Sequence, residues 1–241
     1  MGAPFFRFKQ FTVWHDCCAM KVGTDSVLLG AWCPLPQCAC ARVLDIGTGS
    51  GLIALMTAQR LQSSLVDAID IDEDAAKQAK YNFEKSPWSQ RIYAHQSTLQ
   101  NWNIDKEDIK YDLIVSNPPY FQSSLKNPNQ ARATARHTDT LSYRELICHS
   151  ARLLAKKGIL ALILPAESDQ EILSLAKEYH LMPTHVTYVH SKPGKDARRI
   201  LMAFCHKELT SISLQTSDFY IESETSPRSE EYQELTKEFY L

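Results

Sequence analysis

The sequence predicts an α/β fold: a seven-stranded, mostly parallel sheet with helices on both faces and a short N-terminal extension. Three observations carry this. Short apolar runs alternate with helical patterns along the chain, as strands do when joined by covering helices. The first run ends in a glycine-rich turn that opens a helix. The fourth ends in a turn stiffened by two prolines.

The runs at 42–46, 65–71, 91–94, 112–116, 158–164, 185–189 and 200–205 are the candidate strands. The last two are expected to close one edge as an antiparallel hairpin. Helical patterns fall between them at 51–60, 73–84, 143–155 and 169–180. Ser142 and Glu145 have capping-box spacing. Asp72 is placed to cap the second helix, with Glu73 and Asp74 in its positive first turn. The first 40 residues precede the first core strand and carry Phe5, Phe6, Phe8, Phe11 and Trp14, then a helical pattern at 25–32. The aromatics read as core or docking surface rather than a platform for bases. The polar stretch 121–141 is long for a plain connection, which favours a functional or disordered loop.

A chain of 241 residues suits one unit, read here as a single domain over 1–241 with 1–40 packed on its core. The net charge of −2 argues against a general nucleic-acid coat, though not against a local basic patch. Seven cysteines cannot all pair within the chain. Residues 1–10 lack the apolar core of a secretory signal, and the longest apolar run, 159–164, is too short to span a bilayer. A cytoplasmic protein with reduced thiols and no membrane contact is expected. Cys33, Cys38 and Cys40 form no C-x-x-C and have no histidine close by, so no metal is expected.

The turn Asp45-Ile46-Gly47-Thr48-Gly49-Ser50-Gly51 has G-x-G-x-G spacing. The dinucleotide fingerprint needs a third glycine where Leu52 stands. Asp45, just before the turn, would repel a pyrophosphate but pair with the ammonium of a methionine moiety. These residues favour S-adenosylmethionine over NAD. Asp70, at the end of the second strand, is placed to accept from both ribose hydroxyls, with Ile71 against the adenine face.

Asn117-Pro118-Pro119-Tyr120 leaves the fourth strand at the end where open α/β sheets bind ligands. The nitrogen of an aromatic or amide NH2 is a poor nucleophile because its lone pair is delocalised. Acceptors held on its two hydrogens, the Asn117 side-chain oxygen and the Pro118 carbonyl, would draw it toward sp3. Tyr120 can stack on a flat base, a contact worth about 1–3 kcal/mol. Direct methyl transfer would then need positioning and electrostatics, with no metal and no covalent nucleophile. Arg132, Arg136 and His137 in the long loop, and Lys192, Lys195, Arg198 and Arg199 near the last two strands, are candidates for phosphate contact or for solvated turns.

Over nearly its whole length the chain resembles the bacterial tRNA1(Val) adenine N6-methyltransferases. The resemblance rests on Phe8–Phe11, His15-Asp16, the run from Cys18 to Asp25, Leu29–Trp32, Asp45–Gly51, Ser86-Pro87-Trp88, Asn117–Tyr120 and Phe239-Tyr240. It implies a Rossmann-like class I fold, S-adenosylmethionine as cofactor, and tRNA as partner, methylated at the adenine just 3′ of the anticodon; a monomer is expected. It also implies that Thr24 holds the cofactor carboxylate, with Lys21 assisting. Many relatives place an acid after the third strand for the cofactor adenine; this chain reads His95-Gln96-Ser97-Thr98 there. The rival readings are a glutamine N5 protein methyltransferase, an rRNA or DNA adenine methyltransferase, and a non-catalytic cofactor-binding RNA protein.

Overall fold

The computed structural model describes residues 3–16, 21–102, 109–119, 141–208 and 213–241. Strands β1 (Phe5–Arg7) and β2 (Thr12–Trp14) form a small antiparallel hairpin ahead of helix α1 (Thr24–Trp32). Then follow β3 (Arg42–Ile46), α2 (Leu52–Arg60), β4 (Leu65–Asp70), α3 (Glu73–Glu84), β5 (Ile92–Gln96) and β6 (Tyr111–Ser116). Further along come α4 (Tyr143–Leu153), β7 (Leu154–Pro165), a 3-10 turn, α5 (Asp169–Glu178), β8 (Leu181–His190), β9 (Ala197–His206), β10 (Gln215–Tyr220) and α6 (Glu230–Thr236).

The main sheet has eight strands in the order β10-β8-β9-β7-β6-β3-β4-β5. This corrects the expected count of seven. All seven expected strands form, and β8 and β9 pair antiparallel as foreseen. The edge beyond them is not bare, because β10 adds in parallel to β8. Only Phe219 of β10 is buried, so the strand lacks the apolar alternation that reveals its neighbours.

The sheet is buried on both sides, and its side chains sort by the period of two that a pleat imposes. Val43, Leu113, Val115, Ala161, Ile163 and Leu201 face α1, α2 and the N-terminal hairpin. Leu44, Ile46, Ile114, Leu160, Leu162 and Met202 face α4 and α5. The caps act as their sequence suggests. Asp72 accepts from the Asp74 and Ala75 amides, and Ser142 with Glu145 completes a reciprocal capping box. On the first face, α1 lies so close to α2 that a Cβ on Gly30 would sit 2.7 Å from the Met56 sulfur. The extension joins the same core: Phe8, Phe11 and Val13 are buried there. The Lys9 amide donates to the Phe239 carbonyl at 2.8 Å, and Phe8 stacks on Tyr240.

The chain runs outward from β3 through β4 to β5, then returns to the other side of β3 as β6. That reversal opens a crevice beyond the carboxyl ends of β3 and β6, where doubly wound sheets place their ligands.

Candidate functional site

Strand register brings the sequence-predicted groups to one level. Ile46 is paired with both Ser116 and Ile69. Gly47, Asn117 and Asp70 are therefore the next residues of three adjacent strands. The Gly47 and Thr48 amides both donate to the Ile69 carbonyl, at 2.9 and 3.0 Å. A cleft of about 320 Å³ opens here. Lys21, Thr24, Asp25 and Ser26 line one wall, the Gly47–Ser50 turn and the start of α2 the other, with Asn117 between them.

The turn needs its glycines. Gly47, Gly49 and Gly51 have φ of +69°, +54° and +82°, a region that side-chained residues rarely adopt. Nothing lies within 4 Å of a Cβ built on Gly47 or Gly49, so the open side of the turn faces the cleft and lets a ligand reach the main chain. A Cβ on Gly51 would instead run into the Phe83 ring.

Asp70 holds the turn from the β4 side. Its Oδ2 accepts from the Gly49 amide at 2.8 Å and its Oδ1 from the Asp72 amide at 3.0 Å. Burial raises its pKa, and those amides oppose the rise. Ile71, beside it, is exposed.

Asp45 sits differently from the expectation of a direct ligand. It is fully buried and does not line the cleft. Its Oδ2 accepts from the Thr48 hydroxyl at 2.6 Å and the Ala54 amide at 3.1 Å, so it pins the turn to α2. Its Oδ1 is buried with no hydrogen-bond partner. Burial pushes the carboxyl up to about 7, against the pull of Thr48 and Ala54. A buried, unsatisfied carboxylate oxygen behind a glycine turn fits a cationic ligand group better than a phosphate.

Asn117 leaves the end of β6 half-buried. Its Nδ2 donates to the Ser26 hydroxyl at 3.0 Å, which turns the amide so that its oxygen is the acceptor end. Ser26 is a site residue that sequence reasoning missed. Pro118 is buried beside it. Tyr120, Arg132, Arg136 and His137 lie outside the described residues. Thr98 does not line the cleft, and its hydroxyl accepts from the Asn101 amide at 3.2 Å.

The cations near the last strands split into two groups. Lys192 and Lys195 are exposed on the β8–β9 turn, and Arg198 is exposed at the start of β9. Arg199 instead pairs with Asp25 on the cleft wall, Nε to Oδ2 at 2.8 Å, and so ties that turn to the rim of the site. Among the described residues, no cluster of histidine, cysteine and carboxylate side chains could hold a metal, and no helix is long and apolar enough to cross a membrane.

The model of the methyltransferase small domain family matches residues 23–182. A tRNA1(Val) (adenine(37)-N6)-methyltransferase of Parabacteroides distasonis is 48% identical over 100% of this chain and 99% of its own length. Its counterpart in Flavobacterium johnsoniae is 42% identical over 98% and 99%. The chain belongs to this family. It is therefore a methyltransferase dependent on S-adenosylmethionine, and the glycine turn, Asp70 and the orphan oxygen of Asp45 suit that cofactor. A predicted O-methyltransferase from Agrobacterium tumefaciens, 19% identical, superposes with a TM-score of 0.71 over 89% of this chain and 96% of that one, and shares the fold.

Proposed function

We propose that this chain methylates the exocyclic N6 of adenine in tRNA, at the position just 3′ of the anticodon of tRNA1(Val). The observation that carries the chemistry is the convergence of the Gly47–Gly51 turn and Asn117 on one cleft, at the level set by strand register. The substrate assignment is supported by relatives that match the chain end to end under that name. The whole chain acts as one unit, cytoplasmic and monomeric.

When bound, S-adenosylmethionine supplies an electrophilic methyl group. Gly47 and Gly49 admit it to the main chain, Gly51 closes the turn against Phe83, Asp70 takes the ribose hydroxyls, and Ile71 covers the adenine. Thr24 and Lys21 hold the carboxylate end beside the first turn of α1, where unpaired helix amides favour an anion. Asp45, buried behind the turn, braces it through Thr48 and Ala54 and favours the ammonium end through its charge rather than by contact. The Asn117 oxygen and the Pro118 carbonyl accept the two amino hydrogens of the target adenine, localising the nitrogen lone pair, and Tyr120 stacks on the base. Arg132, Arg136, Lys195 and Arg198 contact phosphates.

Labelled cofactor offered with unmodified tRNA or with release factor separates this reading from glutamine methylation. Label is expected in tRNA, and nucleoside mass spectrometry should identify it as N6-methyladenosine. Label confined to protein would overturn the assignment.

A further inference from the structure

Asn82 lies near the end of α3, with 0% exposure, and does not line the cleft. A buried carboxamide is costly unless its donors and acceptor are all used. Here they are. Its Oδ1 accepts from the Trp14 amide at 2.9 Å. Its Nδ2 donates to the Trp14 carbonyl and to the Ser50 carbonyl, both at 2.8 Å. Trp14 belongs to β2 of the N-terminal hairpin, and Ser50 stands between Gly49 and Gly51 in the cofactor turn. One side chain joins these two segments, which are distant in sequence.

The neighbouring residue supports the same peptide. The Phe83 ring fills the space that a Cβ on Gly51 would occupy. The Ser50–Gly51 peptide is thus oriented by the Asn82 amide and backed by the Phe83 ring, while Asp70 fixes the Gly49 amide from β4. With φ positive at Gly49 and Gly51, backbone bonds hold the ends of this stretch, Thr48 to Ile69 and Leu55 to Gly51, with Gly51 donating back to Thr48. The Gly49 amide and the Ser50 carbonyl between them are held by side chains, Asp70 and Asn82.

We infer that Asn82 is a positioning residue for the cofactor turn, and that it couples the seating of the N-terminal hairpin to cofactor affinity. This rests on the reading that residues 47–51 hold S-adenosylmethionine. Asn82→Asp keeps the size and the acceptor for Trp14 but loses both donations. Asn82→Ala loses all three bonds.

The test measures the affinity of each purified variant for S-adenosylhomocysteine by calorimetry, with kcat and the KM for S-adenosylmethionine beside it. Leaving the buried Ser50 carbonyl unpaired should weaken affinity about tenfold or more, the scale of one unsatisfied buried group. KM should rise in step, while kcat at saturating cofactor falls less than about threefold, because the turn binds the cofactor and Asn117 orients the base. Folded Asn82 variants with affinity within about twofold of the parent would overturn the inference.

Hydrogen exchange on the unsubstituted protein decides even where a variant fails to fold. The homocysteine product should slow exchange in the peptide covering Trp14 as well as in the turn, and protection confined to the turn would sink the coupling. Asp70→Ala serves as the separate control. If it binds the product as the parent does, the reading of the cleft fails, whatever the Asn82 variants show.

Discussion

Asn117 and Asp45 show what single side chains contribute to this cleft. The Asn117 amide is aimed by Ser26 from α1, so the acceptor is set before any base arrives. Asn117→Ala should lower kcat on tRNA by at least ~100-fold, the scale of removing one preorganised polar group, with little change in cofactor affinity. Methylation at the parent rate would remove Asn117 from the chemistry. Asp45 gives a prediction in pH. Its folded carboxyl is raised from 3.8 to about 7. Below 3.8 both folded and unfolded forms are protonated and there is no penalty. As pH rises the unfolded form ionises first, so stability falls until the folded group ionises near 7, and is flat above that. The loss is on the order of 4 kcal/mol. Asp45→Asn cannot titrate, so its denaturation midpoint should fall less than the parent's between pH 5 and 8. Parallel profiles would show that Asp45 does not ionise in this window.

The strands and helices that place these residues are legible in the sequence to different degrees, for physical reasons. The central strands are buried on both faces, so their apolar runs stand out. The α3 and α4 caps can be read because Asp72 and Ser142 bond their own neighbours. The helical pattern of α4 runs two residues past the helix because apolar Leu154 continues it. The structure turns extended at Leu154 while its amide still reaches the Ser150 carbonyl. The direction of Asp45 is within reach of the pattern: it stands between Leu44 and Ile46, so the pleat points it to the opposite face, under α2. Ser26 is not, because its bond to Asn117 spans 91 residues. Strand β10 escapes because four of its six residues are exposed. Its seating depends on Phe219, which is 4% exposed and packs near Tyr232. Phe219→Ala should cost about 3 kcal/mol, read as a lower urea midpoint with an unchanged slope. A cost near zero would mean that this edge is not part of the cooperative fold.

The molecule as a whole carries a net charge of −2, so attraction to a polyanion has to come from where its cations stand. Besides Lys21 in the cleft wall, exposed cations stand on and beside the β8–β9 turn, which is anchored at both ends. His190 faces the Lys195 carbonyl at 2.7 Å and the Asp218 carboxylate at 2.8 Å. Burial lowers the pKa of His190, but those two acceptors outweigh it and hold the ring above its ordinary value. At the other end Arg199 is paired with Asp25 on the cleft wall. The exposed Lys195 and Arg198 are thereby presented from a fixed support beside the cleft, which lowers the ordering cost of gripping a phosphate. If both contact phosphates, tRNA affinity should fall steeply with salt. Replacing the pair with alanine should then reduce the slope of log affinity against log salt by about one for each phosphate no longer neutralised. Cofactor affinity should not change, since neither side chain lines the cleft. Filter binding of unmodified tRNA across a salt series provides the measurement. An unchanged slope would move the phosphate-gripping role to other cations, with Arg132 and Arg136 of the segment after Asn117 next to be substituted.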